Sequence, residues 1–277
     1  MKFFLFLLFA CTSFLANASI KEIPKSEFKK IKYLYTYLLT EHDFSYVVFG
    51  SKPMALADIC LWLPDVPVYR RMHAEERLFK TKSALKAWYA YKQEFAFNEF
   101  ILLDKEEDLF DCLVFVLIHK KNMLALLHKH QSIFKEKLGS SFEPEFFLKK
   151  IESRELSLAQ AIHGNLGLLG IMLGYGVKNS MLYQERYEIR KAINDRKGLL
   201  ATGNELEMRL KAINEKFNNF SEYEEFASIM PLHFCAVLED EETKELKKQY
   251  TKDREAIQAI MKNGDLTDQA FEKMISQ

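Results

Sequence analysis

Apolar side chains recur every three or four positions along residues 20–40, which predicts a helix there. Residues 44–49 are mostly aromatic or β-branched, and the turn signal Gly50-Ser51-Lys52-Pro53 separates them from the apolar run 54–62. This pattern predicts a hairpin of two strands. A turn held by Gly50 and Pro53 with a solvated Lys52 is favoured over a Lys52 that contacts an anion.

The apolar runs 97–103 and 112–118 predict two further strands, which flank the acidic segment that begins at Asp104. This segment has no EF-hand spacing, so an exposed acidic turn is favoured over a calcium site. A helix is predicted between the two strand pairs, over residues 74–95, and from residue 121 onward almost every segment has helical periodicity.

These elements predict an α+β fold that is predominantly helical. A small antiparallel sheet in the first half packs on a helical second half. The predicted organisation is an α+β subdomain with hairpins over 19–120 and a helical subdomain over 121–277. The helical subdomain is built around a helix at 156–175.

That helix carries HGNLGLLGIMLGYG (163–176), which holds five of the ten glycines of the chain. At 3.6 residues per turn, one stripe carries Leu156, Gln160, His163, Gly167, Gly170 and Gly174. The three glycines would floor a groove that a neighbouring helix of the same chain approaches closely. In two alternatives, the uncharged segment 156–177 spans a membrane, or the groove takes an apolar ligand or a partner helix. The helix is expected to end at Gly174 and Gly176, before a cap at Asn179 or Ser180.

Nucleotide binding is not predicted at these glycines, because Gly174-Tyr175-Gly176 lacks the third glycine of a dinucleotide fingerprint and follows a helix. The chain also lacks the HExxH and GxSxG motifs. His233 and Cys235 are a weak indication of a thiol enzyme. The candidate binding residues are Lys52, His163, Tyr175 and Asn179, and neither a cofactor nor a metal site is predicted.

Residues 1–18 have the pattern of a secretory signal peptide: Lys2, an apolar stretch, and small residues before a cleavage site between Ala18 and Ser19. A short membrane anchor and a lipoprotein signal with lipidated Cys11 are the alternatives. After export, an oxidising compartment permits one disulfide among Cys60, Cys112 and Cys235.

The composition is that of a globular protein, with 48% hydrophobic residues and 39 basic against 39 acidic residues. The hydrophobic content argues against disorder. The equal numbers of basic and acidic residues argue against nucleic acid as a partner.

Three segments together carry a resemblance to a known group of proteins: FxYxxFGSKP at 44–53, Trp-Tyr-x-Tyr at 88–91, and the glycine-rich segment 163–179. The chain resembles a group of uncharacterised exported proteins from intracellular Gram-negative bacteria. The resemblance implies bacterial export and a shared fold, and it supplies no catalytic residues.

We therefore expect a protein exported through the Sec pathway to the periplasm or the exterior. It would be a non-catalytic envelope or host-facing protein that binds another protein or a small apolar ligand. Its binding surfaces would lie on the 44–53 hairpin and around His163 and Tyr175. The alternatives are a hydrolase that uses His163 or His233 with Cys235, and a membrane component anchored through 156–177.

Overall fold

The structure is a computed structural model that describes residues 23–59, 61, 68–104, 113–196, 204–221 and 228–275. The predicted signal peptide with its cleavage site between Ala18 and Ser19 lies outside the described residues, as do Cys11, Cys60 and Cys112. Export, lipidation and any disulfide that involves Cys60 or Cys112 therefore stay predictions.

The first predicted helix is present, but a second helix replaces the strand predicted after it. Helix α1 (Lys25–Thr40) buries Ile31, Tyr35 and Leu38 on one face. Residues Phe44–Val48 form the short helix α2, so the predicted 44–53 hairpin is wrong. All five side chains of α2 are buried, and a short run buried on every side suits helix as well as strand. Packing of α2 against α1 outweighs the β-propensity of these residues.

Three antiparallel strands form the main sheet: β1 (Met54–Ile59), β2 (Phe100–Asp104) and β3 (Leu113–His119). β3 lies in the centre, where Ile118 pairs with Met54 on one side and with Ile101 on the other. The strands predicted at 54–62, 97–103 and 112–118 are confirmed with shifted ends.

The sheet is buried on both faces, because its side chains alternate between two hydrophobic clusters. Phe115 and Leu117 of β3 belong to a cluster that includes the C-terminal helices, whereas Val114, Val116 and Ile118 belong to a cluster with the helices that follow β3. A strand buried on both faces has a continuous apolar sequence, which explains the run LVFVLI in β3. Both clusters contain side chains from either side of residue 120.

Most of the described chain is helical, which confirms the predicted fold class. After β1 comes α3 (Val68–Tyr91), extended by a 3₁₀ turn at Lys92–Glu94. The helices after β3 are α4 (Lys120–Lys129), α5 (Gln131–Leu138), α6 (Pro144–Glu152), α7 (Leu158–Ala161), α8 (Leu166–Met172), α9 (Val177–Arg196) and α10 (Asn204–Lys216). Two short strands, β4 (Asn218–Asn219) and β5 (Cys235–Ala236), pair with each other before α11 (Glu241–Asn263) and α12 (Leu266–Ile275).

The glycine-rich segment is not one helix, so the prediction of a helix over 156–175 is wrong. The chain turns between α7 and α8, where His163 and Gly164 have φ of 53° and 66°. The amides of these two residues donate to the carbonyls of Gln160 and Ala159, which is the Schellman pattern that ends a helix. Asn165 then starts α8, because its side-chain oxygen accepts from the amide of Leu168.

This break also removes the membrane-spanning alternative for residues 156–177, since α7 and α8 have only four and seven residues. No helix in the described part of the chain is long and apolar enough to cross a bilayer.

Asp104, at the end of β2, is buried and does not belong to an exposed acidic turn. Its carboxylate accepts hydrogen bonds from Trp88 Nε1 at 3.2 Å, Lys92 Nζ at 2.7 Å and Arg154 Nη2 at 2.8 Å. Three donors, two of them cationic, compensate for burying the charge and connect α3, β2 and the end of α6.

Candidate functional site

Gly167 and Gly170 lie where α8 packs against α9. A methyl group added at Gly170 would lie 2.6 Å from Ser180 Oγ, and one added at Gly167 would lie 3.1 Å from Met181 Sδ. The helix axes approach this closely because neither position carries a side chain. A neighbouring helix of the same chain therefore covers these two glycines, as in the first of the three sequence interpretations.

Gly174 lies outside α8 and makes a different contact. It has φ of 78° and ends the helix by a second Schellman pattern, in which the Tyr175 amide donates to the Gly170 carbonyl at 3.0 Å. An added methyl group would overlap the hydroxyl of Tyr250 and lie 3.1 Å from Pro53 Cδ. The glycine therefore permits close contact with both the 50–53 turn and α11.

Lys52 is fully buried, so the prediction of a solvated lysine is wrong. Its ammonium group donates to the Leu173 carbonyl at 2.7 Å and lies 3.5 Å from an Asp43 carboxylate oxygen. It also lies 4.5 Å from the centre of the Tyr175 ring, which is a cation–π geometry. Burial lowers the pKa of Lys52 below its ordinary value, while the Asp43 carboxylate opposes this shift. The lysine connects the 50–53 turn to the end of α8 and does not present its charge to solvent.

Helix α11 contacts both the 50–53 turn and the residues at the end of α8. Its Asp253 accepts hydrogen bonds from the amide and the hydroxyl of Ser51 at 2.8 and 2.7 Å. One turn earlier, the Tyr250 hydroxyl donates to the Gly174 carbonyl at 2.8 Å. The FGSKP and LGYG segments, distant in sequence, therefore contact each other and share α11 as a support.

Asn179 is buried within α9 and does not cap it, because α9 begins at Val177. Its side-chain amide donates to the Tyr175 carbonyl at 2.8 Å and to Thr243 Oγ1 at 2.9 Å, and its oxygen accepts from the Val237 amide at 2.9 Å. These bonds fix three segments around one side chain, so Asn179 supports the site rather than offering free polar atoms to a ligand.

The ring of Tyr175 begins an aromatic stack. Tyr175 and Phe234 are parallel with centroids 4.2 Å apart, and Phe234 stacks on Phe220 at 4.3 Å. Lys52 lies against Tyr175 at one end of the stack. Burial raises the pKa of the Tyr175 hydroxyl well above its ordinary value, so this group stays protonated at neutral pH.

A cavity of about 400 Å³ lies between α8, α9 and the segment that leads into β5. Its lining is mostly leucine and aromatic, with a few polar groups: Leu56, Leu166, Leu169, Gly170, Leu173, Tyr175, Asn179, Ser180, Tyr183, Asn219, His233, Phe234 and Cys235. Of the four predicted binding residues, Tyr175 and Asn179 line this cavity.

The residues that line the cavity differ in their exposure to solvent. Leu169, Leu173 and Ser180 are buried, whereas Asn219 and His233 are exposed. A bound molecule would therefore place its apolar part among the leucines and its polar part where water has access.

The other two predicted binding residues do not line the cavity. Lys52 lies behind the Tyr175 ring, and His163 is exposed on the turn between α7 and α8. The cavity is instead lined by His233 and Cys235, which are separated by one residue in the sequence. Cys235 is a free, half-buried thiol.

Among the described residues, no group of three histidine, cysteine, aspartate or glutamate side chains is placed to hold a metal ion. Comparison of the chain with protein-family models, with curated proteins and with solved structures finds no match. The resemblance to exported bacterial proteins therefore stays a prediction.

Proposed function

We propose that the protein is an exported, non-catalytic binding protein whose cavity holds a small apolar ligand. The cavity between α8, α9 and β5 carries this proposal. Its volume of about 400 Å³ is within the usual range for small-molecule sites, and its walls are apolar with few polar groups. The helices around the cavity are held in place by two contacts. Gly170 of α8 packs closely on Ser180 of α9, and Asn179 of α9 donates to Thr243 of α11.

A neutral fluorescent probe, N-phenyl-1-naphthylamine, tests whether the cavity binds apolar molecules. We expect saturable binding to the wild-type protein and a loss of roughly tenfold or more in affinity for Leu166→Trp, because the larger side chain fills part of the cavity. Leu156→Trp is the matched control, since Leu156 is also partly buried against the same cluster but does not line the cavity. Absence of saturable binding, or equal affinity for the two variants, would contradict the proposal.

Export is tested separately by fractionating a Gram-negative host that expresses the full chain and weighing the mature protein. We expect a soluble periplasmic or secreted species whose mass corresponds to a chain beginning at Ser19. A mass that includes lipid on Cys11, or an uncleaved chain in the membrane fraction, would show that this part of the proposal is wrong.

A thiol hydrolase is the second candidate, because His233 and Cys235 line the same cavity. An activated ester, 4-nitrophenyl dodecanoate, distinguishes the two candidates by intact mass and peptide mapping. A binding protein leaves Cys235 unmodified. Rapid transfer of the dodecanoyl group to Cys235 with release of 4-nitrophenolate, followed by hydrolysis of the thioester to dodecanoate, would favour the enzyme.

A further inference from the structure

Arg186 lies beside the cavity. Asn179 and Tyr183 of α9 line the cavity, and Arg186 follows Tyr183 by three residues, so it lies near the same face of the helix one turn further on. Its Nη1 atom is 3.7 Å from the sulfur of Cys235, which lines the cavity. The guanidinium carbon lies 5.7 Å from the centre of the Phe217 ring. The side chain is therefore held between the cavity and an aromatic ring.

The charge of Arg186 has no counter-ion among the described residues. Its Nε atom is buried without a hydrogen-bond partner in that part of the chain. Lys178 of α9 is paired with Asp240 at 2.9 Å. Arg190 and Lys191 of the same helix, which have no ion pair within the described ranges, are exposed to water, whereas Arg186 is half-buried. A buried donor that lacks an acceptor costs free energy. An anion at this position would satisfy the group.

We infer that the ligand is an anionic amphiphile, with an alkyl chain among the leucines and a carboxylate or phosphate head at Arg186. This inference rests on the proposed function and adds the chemistry of the ligand. Leu169 and Leu173 line the cavity and are buried, so they would contact the alkyl chain of the ligand. Next to the lining residue Cys235 lies the Arg186 guanidinium, whose forked donors match carboxylate and phosphate oxygens.

Displacement of the neutral probe by dodecanoate, dodecyl phosphate and dodecan-1-ol measures the contribution of the head group. We expect both anions to bind the wild-type protein more tightly than the alcohol. Arg186→Gln should weaken binding of the anions roughly ten- to hundredfold and leave the affinity for dodecan-1-ol unchanged. Arg186→Lys should keep the preference for an anion, because it keeps the positive charge. The ratio of dodecanoate to dodecyl phosphate affinity distinguishes the two head groups.

Arg190→Gln is the matched control, because Arg190 is an exposed arginine four residues further along the same helix. It should change none of the affinities. Equal binding of anions and alcohol to the wild-type protein, or equal weakening of all three by Arg186→Gln, would overturn the inference while leaving an apolar site in place. Failure of all three amphiphiles and of the probe to bind would instead overturn the proposed function.

Discussion

Gly174→Ala should lower the free energy of unfolding by about 3 kcal/mol, which is a large effect for the addition of one methyl group. Two costs add. The φ of 78° is a left-handed conformation that costs a residue with a Cβ roughly 1–2 kcal/mol. The methyl group would also overlap the Tyr250 hydroxyl and crowd Pro53, and such overpacking costs about 1–3 kcal/mol. Urea denaturation of the full chain, followed by circular dichroism, measures the sum.

Gly164→Ala separates these two costs. Gly164 has a similar φ of 66°, but no heavy atom lies within 4 Å of the position that a methyl group would take. We expect this variant to lose about 1–2 kcal/mol, which is the conformational cost alone. If the two variants unfold at the same urea concentration, close packing of Gly174 against the 50–53 turn and α11 does not stabilise the fold.

The strands and the glycine-rich segment show what local patterns can predict in this chain. The run that became β3 is rich in β-branched residues and apolar from Leu113 to Ile118, and tertiary structure placed it in the centre of the sheet. Residues 44–48 have a similar composition but form a helix, because periodicity does not distinguish short runs that are buried on all sides. The break at His163 was predictable in principle, since Gly164 and Asn165 are typical of a helix end and a helix start. The helical spacing of Gly167, Gly170 and Gly174 instead favours one continuous helix.

Two of the four predicted binding residues line the cavity, and their role in binding stays a prediction. Tyr175 and Asn179 line the cavity because they lie at the junction of α8 and α9, whereas the groove predicted over the glycines is filled by other parts of the chain. Lys52 could not be predicted as a buried residue, since lysine is almost always exposed unless it is paired. Its partners, Asp43, the Leu173 carbonyl and the Tyr175 ring, come from other elements. The contact between Arg186 and Cys235 could not be predicted for the same reason, because α9 and β5 meet only in the folded chain.

Asp104→Asn should destabilise the protein by roughly 2–4 kcal/mol at pH 7. Removing one charge from a buried ion pair costs about 3–5 kcal/mol, and the expected loss is smaller here because Lys92 and Arg154 are partly exposed and can regain water. Asparagine keeps an oxygen for Trp88 but gives Lys92 and Arg154 no negative partner. Asp58→Asn is the matched control, since Asp58 is an exposed aspartate within β1, and it should leave the unfolding midpoint unchanged.

The effect of Asp104→Asn should depend on pH with a defined sign. Burial would raise the pKa of Asp104, but the hydrogen bonds from Lys92, Arg154 and Trp88 outweigh burial and hold this pKa below its ordinary value. The folded state therefore favours the carboxylate, whose stabilising contribution is complete above the pKa of an unfolded aspartate, about 3.9. The contribution is lost as the pH falls below that value and through the folded-state pKa.

Urea unfolding of the wild-type protein and of Asp104→Asn between about pH 3 and pH 7 should therefore give two curves that converge at acid pH. Asp104 is the one group of the cluster that the substitution changes, so the difference between the two curves reports its carboxylate. Carboxyl groups elsewhere titrate equally in both proteins and cancel in the difference. A gap in the free energy of unfolding that stays constant down to pH 3 would mean that Asp104 stabilises the fold by its shape and hydrogen bonds, and that its charge contributes nothing.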